Sequence, residues 1–449
     1  MKLVVTLLCG ITALLPAGQA SACQDVAPAL PAASVHLRLD EAVVAALANA
    51  PALAAAAAQE QAARWKERAI ARSRWGQVDG VALYSRYQDD QLLRPMAIQL
   101  FGPRGFAALP WDRDQFHYGL TFQVPLYLGG RLSAAVDVAR LQADQAALLL
   151  EGSRWEVRAN VTSLYTAAQA LEAVMRALDQ NLAALDATRL KVVLMVDQGR
   201  RPGLDLLKLD DEIEDARARR AGLAADNARV RSLLLALAGR DPWLTLEVDS
   251  LPSGEPHLTL GHTDLAGLVR ESSPIRRAET ATAQAGAGVK VAGAAMRPTV
   301  SARANVMQNY GLSLGDQLGT WDISVALTVP LFNGGARSAE LASAREAERA
   351  ASQAALKVRL DREAQLVDAL ARFEASRQAV VAARARIASA AEAARIEQIR
   401  YDTGAGTVED LLRARARELA AASAMAQAQG DQFATAARIN AVVEKEVVQ

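Results

Sequence analysis

Strict alternation of apolar and polar residues occurs at two places in the chain, 205 residues apart. Every second residue is apolar from 116 to 124, and the same alternation returns from 321 to 329. The two apolar sets are Phe116, Tyr118, Leu120, Phe122 and Val124, then Trp321, Ile323, Val325, Leu327 and Val329. A period of two over this length predicts a β-strand with one apolar face and one polar or small face.

An antiparallel partner strand is expected before each of these strands. The partners have the alternating sets Val81, Leu83, Ser85 and Tyr87, then Val300, Ala302, Ala304 and Val306. Connecting loops are expected at 88–114 and 311–319, the first rich in Pro and Gly. The chain therefore supplies four amphipathic strands in two hairpins. Two hairpins of a small soluble sandwich are the alternative at this point.

Both strands end in the same motif, VPLYLGGR at 124–131 and VPLFNGGA at 329–336. The proline cannot donate to a strand ladder, and the glycine pair allows a sharp change of direction. We therefore expect the strand-to-helix joints at these residues to stop strand pairing and turn the chain into a helix. The joint residues are Pro125, Gly129 and Gly130, then Pro330, Gly334 and Gly335.

A heptad pattern follows each joint and predicts long helices packed as coiled coils. The first seam is Val157, Val161, Leu164, Ala168, Leu171, Met175, Leu178, Leu182 and Leu185. The second has smaller residues, namely Leu366, Ala369, Phe373, Val380, Ala383, Ile387 and Ala390. Gly199 and Gly404, again 205 residues apart, are expected to end the long helices, and a shorter returning helix is expected after each.

Composition narrows the class of protein. Fifty basic and 50 acidic side chains give zero formal charge, which argues against a nucleic-acid binder. Between Leu3 and Leu15 the N-terminus is apolar, but no later segment has ~18–20 unbroken apolar residues, so a membrane would have to be crossed by strands. Four strands cannot close a barrel, because membrane barrels begin at about eight strands. Two copies of the chain would give eight strands and three would give twelve.

The first 22 residues are expected to form a secretory signal peptide with a cleavage site after Ala22, rather than a buried N-terminal helix. Cys23 would then be the first mature residue and the only remaining cysteine, which excludes a disulfide within the chain. Lipidation of Cys23 and plain cleavage are both open. The lipoprotein pattern usually has Leu where this chain has Ala20.

Catalytic, metal and cofactor sites are not expected. The histidines His36, His117, His257 and His262 are scattered, without cysteines to complete a zinc site. GAGVKVAG at 286–293 lacks the spacing of a phosphate loop and is typical of close helix packing.

The joints, LRLDEAVVAALANAPAL at 37–53 and RYDTGAGTVEDLLRARARELAAA at 400–422 together resemble the TolC family of outer-membrane efflux proteins. The resemblance covers nearly all of the mature chain. It implies an α+β membrane protein: a homotrimer with a 12-stranded β-barrel in outer-membrane lipid, four strands per chain, continued by a long α-helical coiled-coil tunnel in the periplasm. It also implies a periplasmic adaptor (a membrane fusion protein) and an inner-membrane transporter as partners, and drugs, metals or proteins as cargo.

The resemblance also assigns residues at the helix tips. Tyr401 and Asp410 match the family's aperture tyrosine and aspartate, and Asp205 takes the equivalent place in the first half. The tips expected to contact the adaptor are Gly199, Leu206, Leu207, Gly404, Leu411 and Leu412. Helix capping is the alternative role for both aspartates. Gly406 and Arg413 depart from the basic and acidic residues of some members, so their lock is not expected here.

The expected division of the chain follows from these patterns. It comprises a signal peptide (1–22), an N-terminal segment with the first helix (23–75), the first β-hairpin (76–125), the first long helical hairpin (126–239, tip near 199–207), a linker with an equatorial segment and the helix that opens the second repeat (240–296), the second β-hairpin (297–330), the second long helical hairpin (331–443, tip near 404–412) and a C-terminal tail (444–449). The leading hypothesis is a passive export duct powered by a partner, and the alternative is a coiled-coil tether or adaptor of the envelope without a pore.

Overall fold

The computed structural model describes residues 34–93, 110–252, 254–313, 315 and 317–448. The predicted signal peptide (1–22) and Cys23 lie outside the described residues. The helices are α1 (Leu39–Asn49), α2 (Pro51–Arg72), α3 (Arg131–Asp197), α4 (Gly203–Leu237), α5 (His262–Arg270), α6 (Ser273–Ala294), α7 (Ala336–Asp402) and α8 (Val408–Val443). The strands are β1 (Ser34–His36), β2 (Gln77–Leu92), β3 (Trp111–Tyr127), β4 (Thr245–Glu247), β5 (Thr299–Gly311) and β6 (Gln317–Thr328).

Four long strands form one antiparallel sheet in the order β2-β3-β5-β6, so the two predicted hairpins lie side by side. Strands β2 and β3 are longer than the alternation indicated, and the connection between them is correspondingly shorter than 88–114. The outer strands β2 and β6 each have one edge without a partner strand in the described chain. The sheet is therefore open at both sides.

One face of the sheet is strongly apolar and exposed. Trp321 and Ile323 are 76% and 71% exposed, and Leu120 on β3 is 57% exposed. The partner residues on β5, Val306 and Ala304, lie on this face as expected. A large exposed apolar surface on one side of a sheet is typical of a membrane strand.

The register of β2 against β3 decides on which face of the sheet its alternating set lies. Leu83 pairs with His117 and Val81 pairs with Gly119, so Val81, Leu83 and Ser85 lie on the polar face. Ala82, which pairs with Tyr118, lies on the apolar face, as do Val78 and Tyr84. Because side chains alternate along a strand, a shift of one residue reverses which set lies on the apolar face.

Both joints place two consecutive glycines in the left-handed conformation. Gly129 and Gly130 have φ of 63° and 84°, and Gly334 and Gly335 have φ of 68° and 85°. The second glycine of each pair directly precedes a long helix. These dihedrals strain residues with a side chain, which explains the glycine pair in both repeats.

Pro125 does not end β3, contrary to expectation. Pairing with β5 continues through Pro125 to Tyr127, which pairs with Val300 after an irregularity in the register. A bulge accommodates a residue without an N–H donor, so the ladder can resume. In the second repeat β6 ends at Thr328, before Pro330.

The two halves repeat the same elements. Helices α3 and α7 each have 67 residues, which corresponds to rods of about 100 Å. They begin at 131 and 336, a difference of 205, whereas α2 and α6 begin at 51 and 273, a difference of 222. The 17 extra residues of the first half therefore lie in its β-hairpin, mostly in the connection between β2 and β3. The repeat is otherwise in register.

The heptad residues form the packing surface of the long helices. Val161, Ala168 and Leu185 are fully or almost fully buried, as are Val380 and Ala369 in the second repeat. Helix α8 packs against both α3 and α7, which joins the two halves. Gly430 of α8 permits the close approach to α3 because it has no side chain. A Cβ on Gly430 would lie only 3.1 Å from Ala170 Cβ on α3.

Near the middle of the helices, short elements surround the rods. Strand β1 pairs in parallel with β4, and Leu258 forms an antiparallel bridge with Val448. Two apolar clusters lie here, one built on α1, α2, α3 and α4 and the other on α5, α7 and α8. The segment that joins the halves therefore packs against the long helices at this level, and we call this region the belt.

A buried carboxylate connects four helices in this belt. Glu444, at the C-terminal end of α8, accepts hydrogen bonds from the backbone N–H (2.7 Å) and hydroxyl (2.5 Å) of Ser273 on α6. It also lies 3.9 Å from Arg362 of α7, and both side chains are largely buried. Gly152 of α3 makes room, since a Cβ there would lie 3.3 Å from Glu444 Oε1.

The N-terminal helices differ from the expectation that no segment after residue 22 could span a membrane. By length and composition only, the helical segment Leu39–Trp75 would be long and apolar enough to cross one. Alanine side chains raise its apolar content. The segment is broken at Ala50, where ψ is 121°, and α2 packs along α3.

We expect Glu444→Ala to destabilise the belt by about 3 kcal/mol, because removal of one partner leaves the buried Arg362 guanidinium without its carboxylate. The free energy of unfolding in guanidinium, followed by helical circular dichroism of the detergent-solubilised protein, measures this.

Glu446→Ala is the matched control. Glu446 also pairs with an arginine, Arg158, at 2.5 Å, but its side chain is 63% exposed. Exposed pairs contribute below about 1 kcal/mol, so a similar loss in both variants would contradict the role of Glu444 in the belt.

Candidate aperture at the helix tips

The tips of the two helical hairpins are built by equivalent turns. Gly199 follows α3 with φ of 69°, and Gly404 follows α7 with φ of 84°. Left-handed glycines at these places end helices because they satisfy the last carbonyls without steric cost. The hydroxyl of Thr407 then caps α8 by accepting from Asp410 N at 3.1 Å.

An apolar cluster holds the two tips of one chain together. Its buried members are Leu185, Val192, Leu209, Ile213, Tyr401, Val408 and Leu411. They come from α3, α4, α7 and α8, so both hairpins contribute. Burial of this surface fixes the hairpins relative to each other at their ends.

Within this cluster the structure brings two of the predicted aperture residues together. Tyr401 is 1% exposed and donates from its hydroxyl to Asp205 Oδ2 at 3.3 Å. Burial, with the nearby Asp205 carboxylate, raises the pKa of Tyr401 to about 12. Asp205 is itself 8% exposed and lies in the first turn of α4, where its carboxylate accepts from the Tyr401 hydroxyl.

Arg201 completes this arrangement from the first tip. Its guanidinium lies 4.4 Å from the centre of the Tyr401 ring, and its Nη2 donates to the carbonyls of Tyr401 (2.8 Å) and Gly406 (3.2 Å). We call Arg201, Asp205 and Tyr401 the tip latch. Cation–π contact and bonds to two carbonyls of the second turn make Arg201 the link between the first turn and the second.

The sequence analysis gave Arg201 no role, although Arg200 and Arg201 make the first reversal basic. Gly406, noted above as a departure from some family members, contributes its backbone carbonyl to the latch. A side chain there would be crowded, since a Cβ on Gly406 would lie 3.2 Å from Tyr401 N. The basic residue of this contact is instead Arg201, from the first hairpin. The adjacent Arg-Arg-Pro at the reversal was the one signal for this contact.

Asp410 lies apart from the latch. Its side chain is 44% exposed, accepts a bond from the Thr407 hydroxyl at 2.7 Å and lies 3.8 Å from Arg413. Lys191 pairs with Asp402 at 3.1 Å, and Lys208 with Glu409 at 3.5 Å, so ion pairs connect the two hairpins beside the latch. These pairs are largely exposed and orient the tips more than they stabilise them.

The four predicted tip leucines have different environments. Leu411 is 1% exposed and belongs to the buried cluster. Leu206 and Leu412 are partly buried and pack against this cluster. Leu207 is 66% exposed. Of the four, Leu207 has the side chain that is available to a partner without rearrangement of the cluster.

We expect an ultraviolet difference titration between the wild type and Tyr401→Phe to show one tyrosine that ionises near pH 12 instead of near pH 10. A raised pKa in the folded protein stabilises the tip below pH 10, and this contribution is lost as the pH rises towards 12. A difference spectrum with a midpoint near pH 10 would contradict burial of Tyr401 beside Asp205.

We expect Arg201→Ala to increase amide hydrogen exchange in the second turn, 402–407, by about tenfold, because the bonds to the two carbonyls and the ring contact are lost. Hydrogen–deuterium exchange with peptide mapping measures this. Arg200→Ala is the matched control, since Arg200 is adjacent and exposed. Equal exchange in both variants would show that Arg201 does not connect the turns.

Comparisons with known proteins agree with this geometry. The family described as Outer membrane efflux protein matches residues 42–240 and 267–443. Among solved structures, the outer-membrane channel OprN is similar at 22% identity and a TM-score of 0.77, covering 90% of this chain and 89% of that one.

Two further channels have the same fold. VceC of Vibrio cholerae has 20% identity and a TM-score of 0.74 over 91% of this chain and 96% of its own. MtrE of Neisseria gonorrhoeae, in an open state, has 21% identity and a TM-score of 0.72 over 91% and 89%. No curated protein matches the sequence. The fold is α+β, with four barrel strands and a long helical tunnel segment per chain in an internal two-fold repeat, and the chain belongs to the outer membrane efflux protein family.

Proposed function

We propose that this protein is the passive duct of a tripartite efflux or secretion system, a homotrimer whose 12-stranded barrel crosses the outer membrane. The observation that carries the proposal is the open sheet with an exposed apolar face. Strand edges in lipid must be paired, so three copies would join β6 of one chain to β2 of the next. The long helices would continue this pore as a tunnel in the periplasm.

The tips are proposed as the aperture of the tunnel. The tip latch holds the two hairpins of one chain together, and its release would allow one hairpin to move relative to the other. Asp205 is buried in the latch, whereas Asp410 is partly exposed. Three copies of Asp410 around the tunnel axis would attract cations, as carboxylate rings do in channels.

Partners follow from the same arrangement. The sequence contains no phosphate-loop motif, so energy would come from an inner-membrane transporter, and a periplasmic adaptor would connect it to the tips. The exposed Leu207 is the proposed centre of the adaptor contact, with Gly199 and Gly404 in the flanking turns. Small molecules such as drugs or metals, or proteins, are the proposed cargo.

The proposed location is the outer membrane of a Gram-negative type envelope, with the helices in the periplasm. Residues 1–22 would direct export and be removed, and Cys23 is the proposed point of any lipid attachment. The hairpins 76–125 and 297–330 are the proposed membrane segments, and the helical hairpins 126–239 and 331–443 the proposed tunnel walls. Residues 23–75 and 240–296 would open the two repeats, and 444–449 would close the belt.

Two adjacent residues of β6 test the duct. Ile323 lies on the apolar face and Ser324 on the opposite face. We expect Ile323→Arg to reduce the amount of membrane-inserted trimer, because a lipid-facing arginine near the bilayer centre costs about 2–4 kcal/mol. Ser324→Arg should insert normally and change only conductance. Native mass spectrometry in mild detergent and planar-bilayer recording measure the two effects.

The same experiment discriminates against the tether. A chain that stays monomeric or dimeric without detergent, with Ile323→Arg and Ser324→Arg equally tolerated, would overturn the duct. The subunit mass from the native spectrum also shows whether Cys23 carries lipid.

A further inference from the structure

The face of the sheet opposite the apolar one is not polar throughout. On this face, one rung of paired residues consists of Val81, Gly119, Met307 and Thr320, and the next rung with side chains on the same face consists of Leu83, His117, Asn309 and Leu318. We call Val81, Leu83, Met307 and Leu318 the lumen band. Val81 and Leu83 are 38% and 53% exposed. In the proposed barrel this face lines the water-filled pore, where apolar side chains are not required for stability.

The polar residues of these rungs are engaged with one another. His117 Nδ1 lies 2.8 Å from Asn309 Oδ1, and His117 Nε2 lies 3.1 Å from Gln115 Oε1. Asn309 Nδ2 donates to Thr320 Oγ1 at 3.0 Å. Because these groups bond along the sheet, the lumen band remains as the apolar surface of the pore at this level.

Gly119 gives Met307 its position in the band. A Cβ on Gly119 would lie 2.8 Å from Met307 Sδ, so the thioether occupies the space that a side chain would fill. Methionine is flexible and polarizable, and it adapts to apolar molecules of different shapes. The band therefore offers a surface suited to varied apolar groups.

The next rung towards the helices carries negative charge. It contains Asp79, Thr121, Asn305 and Asp322. Asp322 accepts both of its bonds from Asn305 Nδ2 at 3.1 Å, and Asp79 accepts from Gln77 at 3.0 Å. These donors are neutral amides. Arg303, one rung further, donates to Gln123 at 3.2 Å, so two carboxylates face one guanidinium per chain.

We infer that the barrel lumen contacts amphiphilic organic cations, with their apolar part on the lumen band and their charge near Asp79 and Asp322. The inference rests on the proposed duct and names the class of cargo that this pore favours. Charge complementarity attracts the cation, and burial of apolar surface on the lumen band adds to this attraction. A small hydrophilic cation gains only the first contribution.

Planar-bilayer recording of the full-length trimer tests this, with either tetraphenylphosphonium or tetramethylammonium added on the barrel side. We expect tetraphenylphosphonium to block the potassium current at a concentration about tenfold lower. Leu83→Ser should raise its half-blocking concentration about fivefold, because apolar contact is lost, and leave block by tetramethylammonium unchanged. Asp322→Asn should weaken block by both cations and lower the preference for potassium over chloride.

Two further variants keep the result interpretable. Met307→Gln removes apolar contact from a different strand and should act like Leu83→Ser. Ala326→Ser, which makes a similar change on the same face outside the lumen band, should have no effect. Conducting Leu83→Ser and Met307→Gln channels with unchanged block would overturn the inference alone. Absence of any conductance in the unchanged protein would contradict the proposed duct itself.

Discussion

The backbone groups at the two open edges of the sheet constrain the whole molecule. Strands β2 and β6, of 16 and 12 residues, each present an edge without a partner strand in the described chain. In hydrocarbon each unsatisfied N–H or C=O costs several kcal/mol, so in the proposed barrel these edges would pair with further copies of the chain. The apolar residues on one face and the polar residues on the other would then be the lipid-facing and pore-facing surfaces. In that proposal, assembly is part of folding.

Duplication gives both hairpins the same connection to a long helix. The glycine pairs 129–130 and 334–335 provide the same change of direction twice. Because α3 and α7 have equal lengths, their ends reach the same level about 100 Å away. The two tips can therefore meet, and the cluster around Tyr401 and Leu411 forms there.

Polar contacts connect neighbouring helices at two places along the rods, within the second repeat in the belt and between the two repeats at the tips. In the belt, Glu444 connects α8 with α6 and α7 beside Gly152 of α3. At the tips, Arg201 connects the first turn with the second through Tyr401 and Gly406. Between these places, alanines and glycines pack closely through non-directional van der Waals contacts. The directional polar contacts therefore fix the position of the helices relative to each other.

Local periodicity in the sequence determined the strands, the long helices, the joints and the 205-residue repeat, because each depends on residues that are close in the chain. It did not determine which face of β2 is polar, how β3 continues past Pro125, or that Arg201 contacts Tyr401. The face of a strand is set by its register against a neighbour, and the Arg201 contact joins residues 200 positions apart. Leu207 and Leu412, which occupy equivalent places 205 residues apart, likewise differ, since Leu207 is exposed and Leu412 is partly buried against the tip cluster. These features required the tertiary structure, since pairing and packing between distant segments decide them.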